Sequence, residues 1–112
     1  AFSQNGPKVM SETTAQLLQS ALRDTVQRGS AKSIASLLAG TGWHIGGKTG
    51  TGPGIVGPES DGWFAGLIFD PTGNARCTVA TFVKHGGPGR GNAARLSADM
   101  AAYLIGPPAA RP

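Results

Sequence analysis

Five residues, Asp70-Pro71-Thr72-Gly73-Asn74, constrain this chain more than any other segment. Pro pre-sets φ, Gly accepts positive φ, and the Asp and Asn side chains can bond back to nearby backbone, so a tight turn is predicted. Apolar runs flank it, Gly62 to Asp70 before and Ala75 to Lys84 after. So short a connection makes only a hairpin, hence an antiparallel pair. The first run is apolar on both alternating faces, with Trp63, Ala65, Leu67 and Phe69 against Phe64 and Ile68. A strand of that kind is predicted to be central and covered on both sides, in a sheet that continues with strands beyond this chain.

The remaining elements follow from spacing. Ser11 is suited to an N-cap, with Glu12 favourably placed in the first turn. From Glu12 to about Arg28, residues Leu17, Leu18, Ala21, Leu22 and Val26 recur at helical spacing and predict an amphipathic helix that buries this stripe. Gly29 is its expected C′ stop. Ala31 to Leu38 is predicted as a short second helix, and Gly40-Thr41-Gly42 breaks it. Trp43 to Thr51 reads as a strand, because Trp, Ile and Thr favour extended backbone. Gly52 to Asp61 and His85 to Gly91 read as loops. Asn92 is expected to cap a last helix whose Ala93, Leu96, Met100, Ala101 and Leu104 share a face. Gly106-Pro107-Pro108 ends it, and residues 106–112 are expected to be a disordered tail. The fold class predicted is α+β, an antiparallel sheet of three strands with N- and C-terminal helices packed on it.

With 112 residues there is room for one domain at most. The 18 glycines cluster at element ends and between residues 40 and 57, and are read as turn chemistry rather than low complexity. Ten Lys and Arg against six Asp and Glu give +4. The basic residues are dispersed and aromatics are few, which argues against nucleic acid as a partner. A mild basic surface suits an anionic envelope polymer or a membrane face. The single Cys77 rules out an intrachain disulfide and, in its apolar run, is expected to be a small buried residue. His44, His85 and Cys77 lack the spacing of a metal site, so neither a metal nor a cofactor is expected. No apolar run approaches the ~20 residues of a membrane span, and no signal peptide opens the chain. The chain begins on Ala1 rather than Met, so a mature chain or a piece of something longer is expected.

The segment Gly42-Trp43-His44-Ile45-Gly46-Gly47-Lys48-Thr49-Gly50-Thr51-Gly52 satisfies two unrelated patterns. The first is a P-loop, Gly42 to Thr49, followed by a run ending in Asp70. A P-loop needs a helix opening at its Lys and Thr to hold phosphate. Here Gly50, Gly52, Pro53 and Gly54 follow, and interior Gly costs ~1 kcal/mol and Pro ~3 in a helix. No helix starts at Lys48, and the nucleotide-binding reading fails. The second pattern is K-T-G on a strand, Lys48-Thr49-Gly50.

K-T-G-T, then Asp61-Gly62-Trp63-Phe64-Ala65-Gly66, between a helix ending in Val26-Gln27-Arg28-Gly29-Ser30-Ala31 and an Ala-rich C-terminal helix, resembles the penicillin-binding transpeptidases. These belong to the serine acyltransferase superfamily that includes the serine β-lactamases. The resemblance covers nearly the whole chain, as the C-terminal segment of a transpeptidase domain over residues 1–112. It implies a K-T-G strand at the edge of the active-site cleft, to which an extended acyl-donor peptide adds as a further strand. Lys48 would supply positive charge near the nucleophile and attract the substrate carboxylate. Thr49 and Thr51 would offer hydroxyls to that carboxylate, and Gly50 would let substrate approach the backbone. The Thr51 N–H would be one oxyanion-hole donor, worth roughly 3 kcal/mol of transition-state stabilisation.

By period-2 alternation His44 shares a strand face with Lys48 and is read as a surface or packing residue. Trp63 is read as packing in the sheet, and Arg76, Lys84 and Arg95 as solvated. The family also needs a Ser-x-x-Lys nucleophile motif and a Ser-x-Asn. No Ser-x-x-Lys occurs here, and Ser3-Gln4-Asn5 lies too close to the K-T-G to serve. The implied protein is a peptidoglycan D,D-transpeptidase acylated by β-lactams, extracytoplasmic and membrane-anchored by a segment outside this chain. Its nucleophile would come from upstream sequence or a separate chain, so this segment alone would be inactive. A class-D-like β-lactamase or β-lactam sensor, and a non-catalytic peptidoglycan-binding or scaffolding domain, share the same motifs.

Overall fold

The computed structural model describes residues 6–53, 60–88 and 91–106. Helix α1 (Glu12–Arg28) leads through a 3₁₀ helix (Lys32–Leu38) to strand β1 (His44–Gly52). Strands β2 (Asp61–Phe69) and β3 (Ala75–Val83) and helix α2 (Asn92–Ile105) follow. The three strands form one antiparallel sheet in the order β1-β2-β3, with helices packed on it, the α+β arrangement expected. Among the described residues no helix is long and apolar enough to cross a membrane.

The hairpin turn is built around one carboxylate. Asp70 Oδ1 accepts from Thr72 N at 2.9 Å, Thr72 Oγ1 at 2.6 Å and Asn74 N at 3.1 Å. Gly73 adopts φ +91, the left-handed conformation that glycine supplies without strain. A one-residue register shift lies between Ile68 and Phe69, where the β2–β3 pairing meets the turn. Arg76 is largely exposed, as expected, yet reaches Asp70 at 3.4 Å. The hydrogen bond from the Thr72 hydroxyl, with the two backbone N–H bonds and Arg76, holds the Asp70 carboxyl below the usual aspartate value of 3.8 despite partial burial. A carboxyl depressed on folding stabilises above its unfolded pKa, and that stabilisation is lost as pH falls through the folded one. Asp70→Asn is therefore expected to lower the thermal midpoint at neutral pH, with the gap to wild type closing as pH falls below 3.8. Thermal unfolding across that range checks it.

The core lies between one sheet face and the helices. Ile45, Phe64, Ile68 and Val79 meet Val26, Ile34 and Leu38 on one side and four alanines of α2 on the other. Register explains part of this: Ile45 pairs with Ile68, and paired residues share a face. Helix α2 sits on this face through Ala93, Ala94, Ala98 and Ala101. Buried Ser97 bonds Thr81 Oγ1 on β3 at 2.7 Å, which satisfies both hydroxyls. Such small residues let the helix approach the sheet closely.

Several expectations change. Helix α2 does not bury Leu96, Met100 or Leu104. These, with Tyr103, face outward, because its Ala and Ser stripe fits the sheet more closely than the large residues can. In α1 only Val26 is fully buried, while Leu17 is 67% exposed, because the helix turns Gln19, Leu22, Arg23 and Val26 toward the sheet instead. Gly29 closes α1 with φ −104 rather than left-handed. Glycine is required there because a Cβ would stand 2.8 Å from the Thr25 carbonyl oxygen. Ser11 caps α1 as expected, accepting from Thr14 N at 3.1 Å. Gly91, not Asn92, holds the cap position of α2, and the Asn92 amide donates instead to the Gly86 carbonyl at 3.0 Å. Cys77 is exposed rather than buried, because β3 is an edge strand and nothing described covers its start. The tail after Gly106 and the middle of the Gly52–Asp61 loop lie outside the described residues.

Candidate active site

Strand β1 carries Lys48-Thr49-Gly50-Thr51 along the edge of the sheet. Cross-strand register sorts them by face. Lys48 pairs with Ala65 and Gly50 with Trp63, on one side. Thr49 pairs with Phe64 and Thr51 with Gly62, on the other. Lys48 is exposed and its Nζ donates to the Thr49 carbonyl oxygen at 2.9 Å.

Around Lys48 this face is bare. Trp63 and Phe82 pair across β2 and β3, their ring centroids 4.3 Å apart and tilted by 42°. Trp63 is 50% exposed and Phe82 40%. With Ala65 and Ala80 they floor a groove of about 520 Å³ that Lys48 and Gly50 rim. Trp63 thus packs within the sheet, against Phe82, but also lines this groove. The expectation that β2 is central holds, and its cover on this face is partial: α1 lies over the far end, where the Arg23 guanidinium stands 5.1 Å from the ring of fully buried Phe69, while Trp63 and Ala65 are open.

The opposite side explains the glycines that flank the motif. Gly47 and Gly66 face each other in register, and the Phe64 ring lies over Gly47. A Cβ on Gly47 would collide with that ring and stand 2.6 Å from the Ala65 carbonyl oxygen. A Cβ on Gly66 would run into the Gly46 carbonyl oxygen. Gly46, back on the Lys48 face, lies under α1, where a Cβ would stand 2.9 Å from the Leu22–Arg23 backbone. These strand glycines serve close approach, not the turn chemistry expected from composition. They press β1 against its neighbours directly before Lys48, while Gly40 and Gly42, at φ +79 and +81, do shape the turn that enters the strand.

Thr49 is half-buried, and its hydroxyl lies 3.1 Å from that of Ser30, in the turn after α1. Sequence reasoning singled out the Gly29-Ser30-Ala31 segment without giving Ser30 a role. His44 shares the Lys48 face but stands four residues away, roughly 13 Å along the strand, beside Val26, Leu38 and Trp43. Ser3-Gln4-Asn5 lies outside the described residues. Among the described residues no three His, Cys, Asp or Glu side chains gather as metal ligands would.

No curated protein and no solved structure matches this chain. A family model does, that of the penicillin binding protein transpeptidase domain, over residues 3–104. The match takes in both helices, all three strands and the K-T-G-T edge. The chain belongs to the penicillin-binding protein transpeptidase domain family.

Proposed function

We propose that these residues form one wall of the active site of a peptidoglycan D,D-transpeptidase whose nucleophile lies outside this chain. The carrying observation is an edge strand bearing Lys48-Thr49-Gly50-Thr51 with Lys48 at the rim of a bare apolar groove. An extended donor peptide adds to β1 by main-chain hydrogen bonds. Lying in the plane of the sheet, it is flanked by side chains from both faces. Lys48 meets it from one face, and Thr49 and Thr51 from the other. The lysine raises the local potential for the donor's carboxylate, and the threonine hydroxyls donate to it. Gly50 leaves the backbone open to approach, and the Thr51 N–H is the oxyanion donor.

The serine attacks the D-Ala-D-Ala carbonyl of a stem peptide, D-Ala leaves, and an amine takes the acyl group. β-Lactams mimic the donor and acylate the same serine. The remainder of the domain covers the Trp63–Phe82 groove and brings that serine to Lys48. It is supplied by upstream sequence or by a separate chain. The parent protein is extracytoplasmic and held at the membrane by a segment outside these residues.

The test is covalent labelling of the full-length protein by a fluorescent penicillin, with the acylated residue identified by mass spectrometry. Attachment to a serine of a Ser-x-x-Lys, stable over many minutes, is expected. No labelling, or a full-length sequence without that motif, overturns the reading. Rapid release of the label would instead identify a β-lactamase.

A further inference from the structure

We propose that Ser30 is a positioning residue that sets the direction of the Thr49 hydroxyl proton, and so the affinity of the site for a donor carboxylate. The proposal rests on the transpeptidase reading above. The two hydroxyl oxygens are 3.1 Å apart, and either can donate. A hydroxyl has one proton and two acceptor lone pairs, whereas a carboxylate only accepts. Thr49 can serve a carboxylate only if its single proton points to the ligand. It must then accept from its other neighbour. Ser30 supplies that donor, and the chain runs Ser30 O–H to Thr49 O, then Thr49 O–H to carboxylate. Each bond polarises the next in the same sense.

The local backbone is built to hold Ser30 there. Gly29 before it permits a close turn that a Cβ would block at 2.8 Å from Thr25 O. Ala31 after it is fully buried in the core. The Ala31 N–H reaches Thr25 O at 3.4 Å, and the Lys32 N–H donates to Gly29 O at 3.1 Å. Ser30 is exposed between these two fixed neighbours. Its hydroxyl meets the strand at Thr49, one residue from Lys48, rather than elsewhere on β1.

The measurement is the acylation rate constant of the full-length protein with a penicillin and with its methyl ester, which lacks the anionic carboxylate. Ser30→Ala is expected to slow the acid about tenfold, the worth of one hydrogen bond to a charged group. The ester should stay within about twofold, since it has no anion for Thr49 to serve. Ser30→Thr, which keeps the donor, should restore the acid to within about threefold of wild type. If Ser30→Ala fails to fold, Ser30→Cys, similar in size and a weak donor, carries the same expectation. An unchanged rate for the acid overturns the proposal. So does an equal fall for acid and ester, which is what a purely structural tie between the α1 turn and β1 would produce. If the wild-type protein is not acylated by the acid at all, the transpeptidase reading fails and takes this proposal with it.

Discussion

Gly66→Ala unfolds the sheet. The added methyl has nowhere to go, because it meets the Gly46 carbonyl oxygen and the Gly47 Cα, at 2.9 Å, on the neighbouring strand. A crowded side chain can change rotamer, but a backbone atom in a paired strand moves only if the strands part. Overpacking ordinarily costs 1–3 kcal/mol, and a clash with backbone should exceed that, at about 4 kcal/mol. Against a typical stability of roughly 5–15 kcal/mol this is a large share. The full-length variant is expected to lose most of its soluble yield, with a thermal midpoint well below wild type. Gly52→Ala is the control, since a Cβ there meets nothing within 4 Å. Comparable midpoints for Gly66→Ala and wild type would contradict the close approach.

Lys48→Ala affects chemistry rather than folding. The residue is exposed, and among the described residues its side chain bonds only to the next residue's carbonyl. The stability change should stay within about 0.5 kcal/mol, as for an ordinary surface substitution. On the proposed reading this charge stands beside the nucleophile and the substrate carboxylate, and removing it should lower the penicillin acylation rate constant about a hundredfold. Lys48→Arg keeps the charge but not the compact ammonium, and should recover only part of the loss. A Lys48→Ala protein that labels at the wild-type rate would remove this residue from the site.

The order and kind of the elements were legible in the chain because local signals agree. The Asp70–Asn74 turn fixes the hairpin, Ser11 opens α1, and the apolar residues on both faces of β2 mark a central strand. The K-T-G-T and W-F-x-G segments were likewise visible as motifs. What escaped depends on neighbours distant in sequence. Leu96, Met100 and Leu104 carry the strongest helical periodicity in α2, yet the sheet accepts only its Ala and Ser stripe. Periodicity reports that a helix is amphipathic, and not which of two plausible faces a given neighbour selects. Cys77 looked buried because its sequence neighbours are apolar, but burial belongs to the sheet, and β3 is at the edge. Ser30 and Thr49 are nineteen positions apart, and nothing local in either links them.

The Phe64 ring over the Gly47–Gly66 pair has a consequence for descent. The three residues fill one volume, contributed by two strands. A methyl gained at Gly47 is tolerable only if the aromatic gives way, and a smaller residue at position 64 opens a space over both glycines. Single steps away from the present combination pass through a crowded or a hollow intermediate. Lineages of this domain should therefore change positions 47, 64 and 66 in concert or keep all three, and the backbone leading into Lys48 inherits its constancy from that linkage.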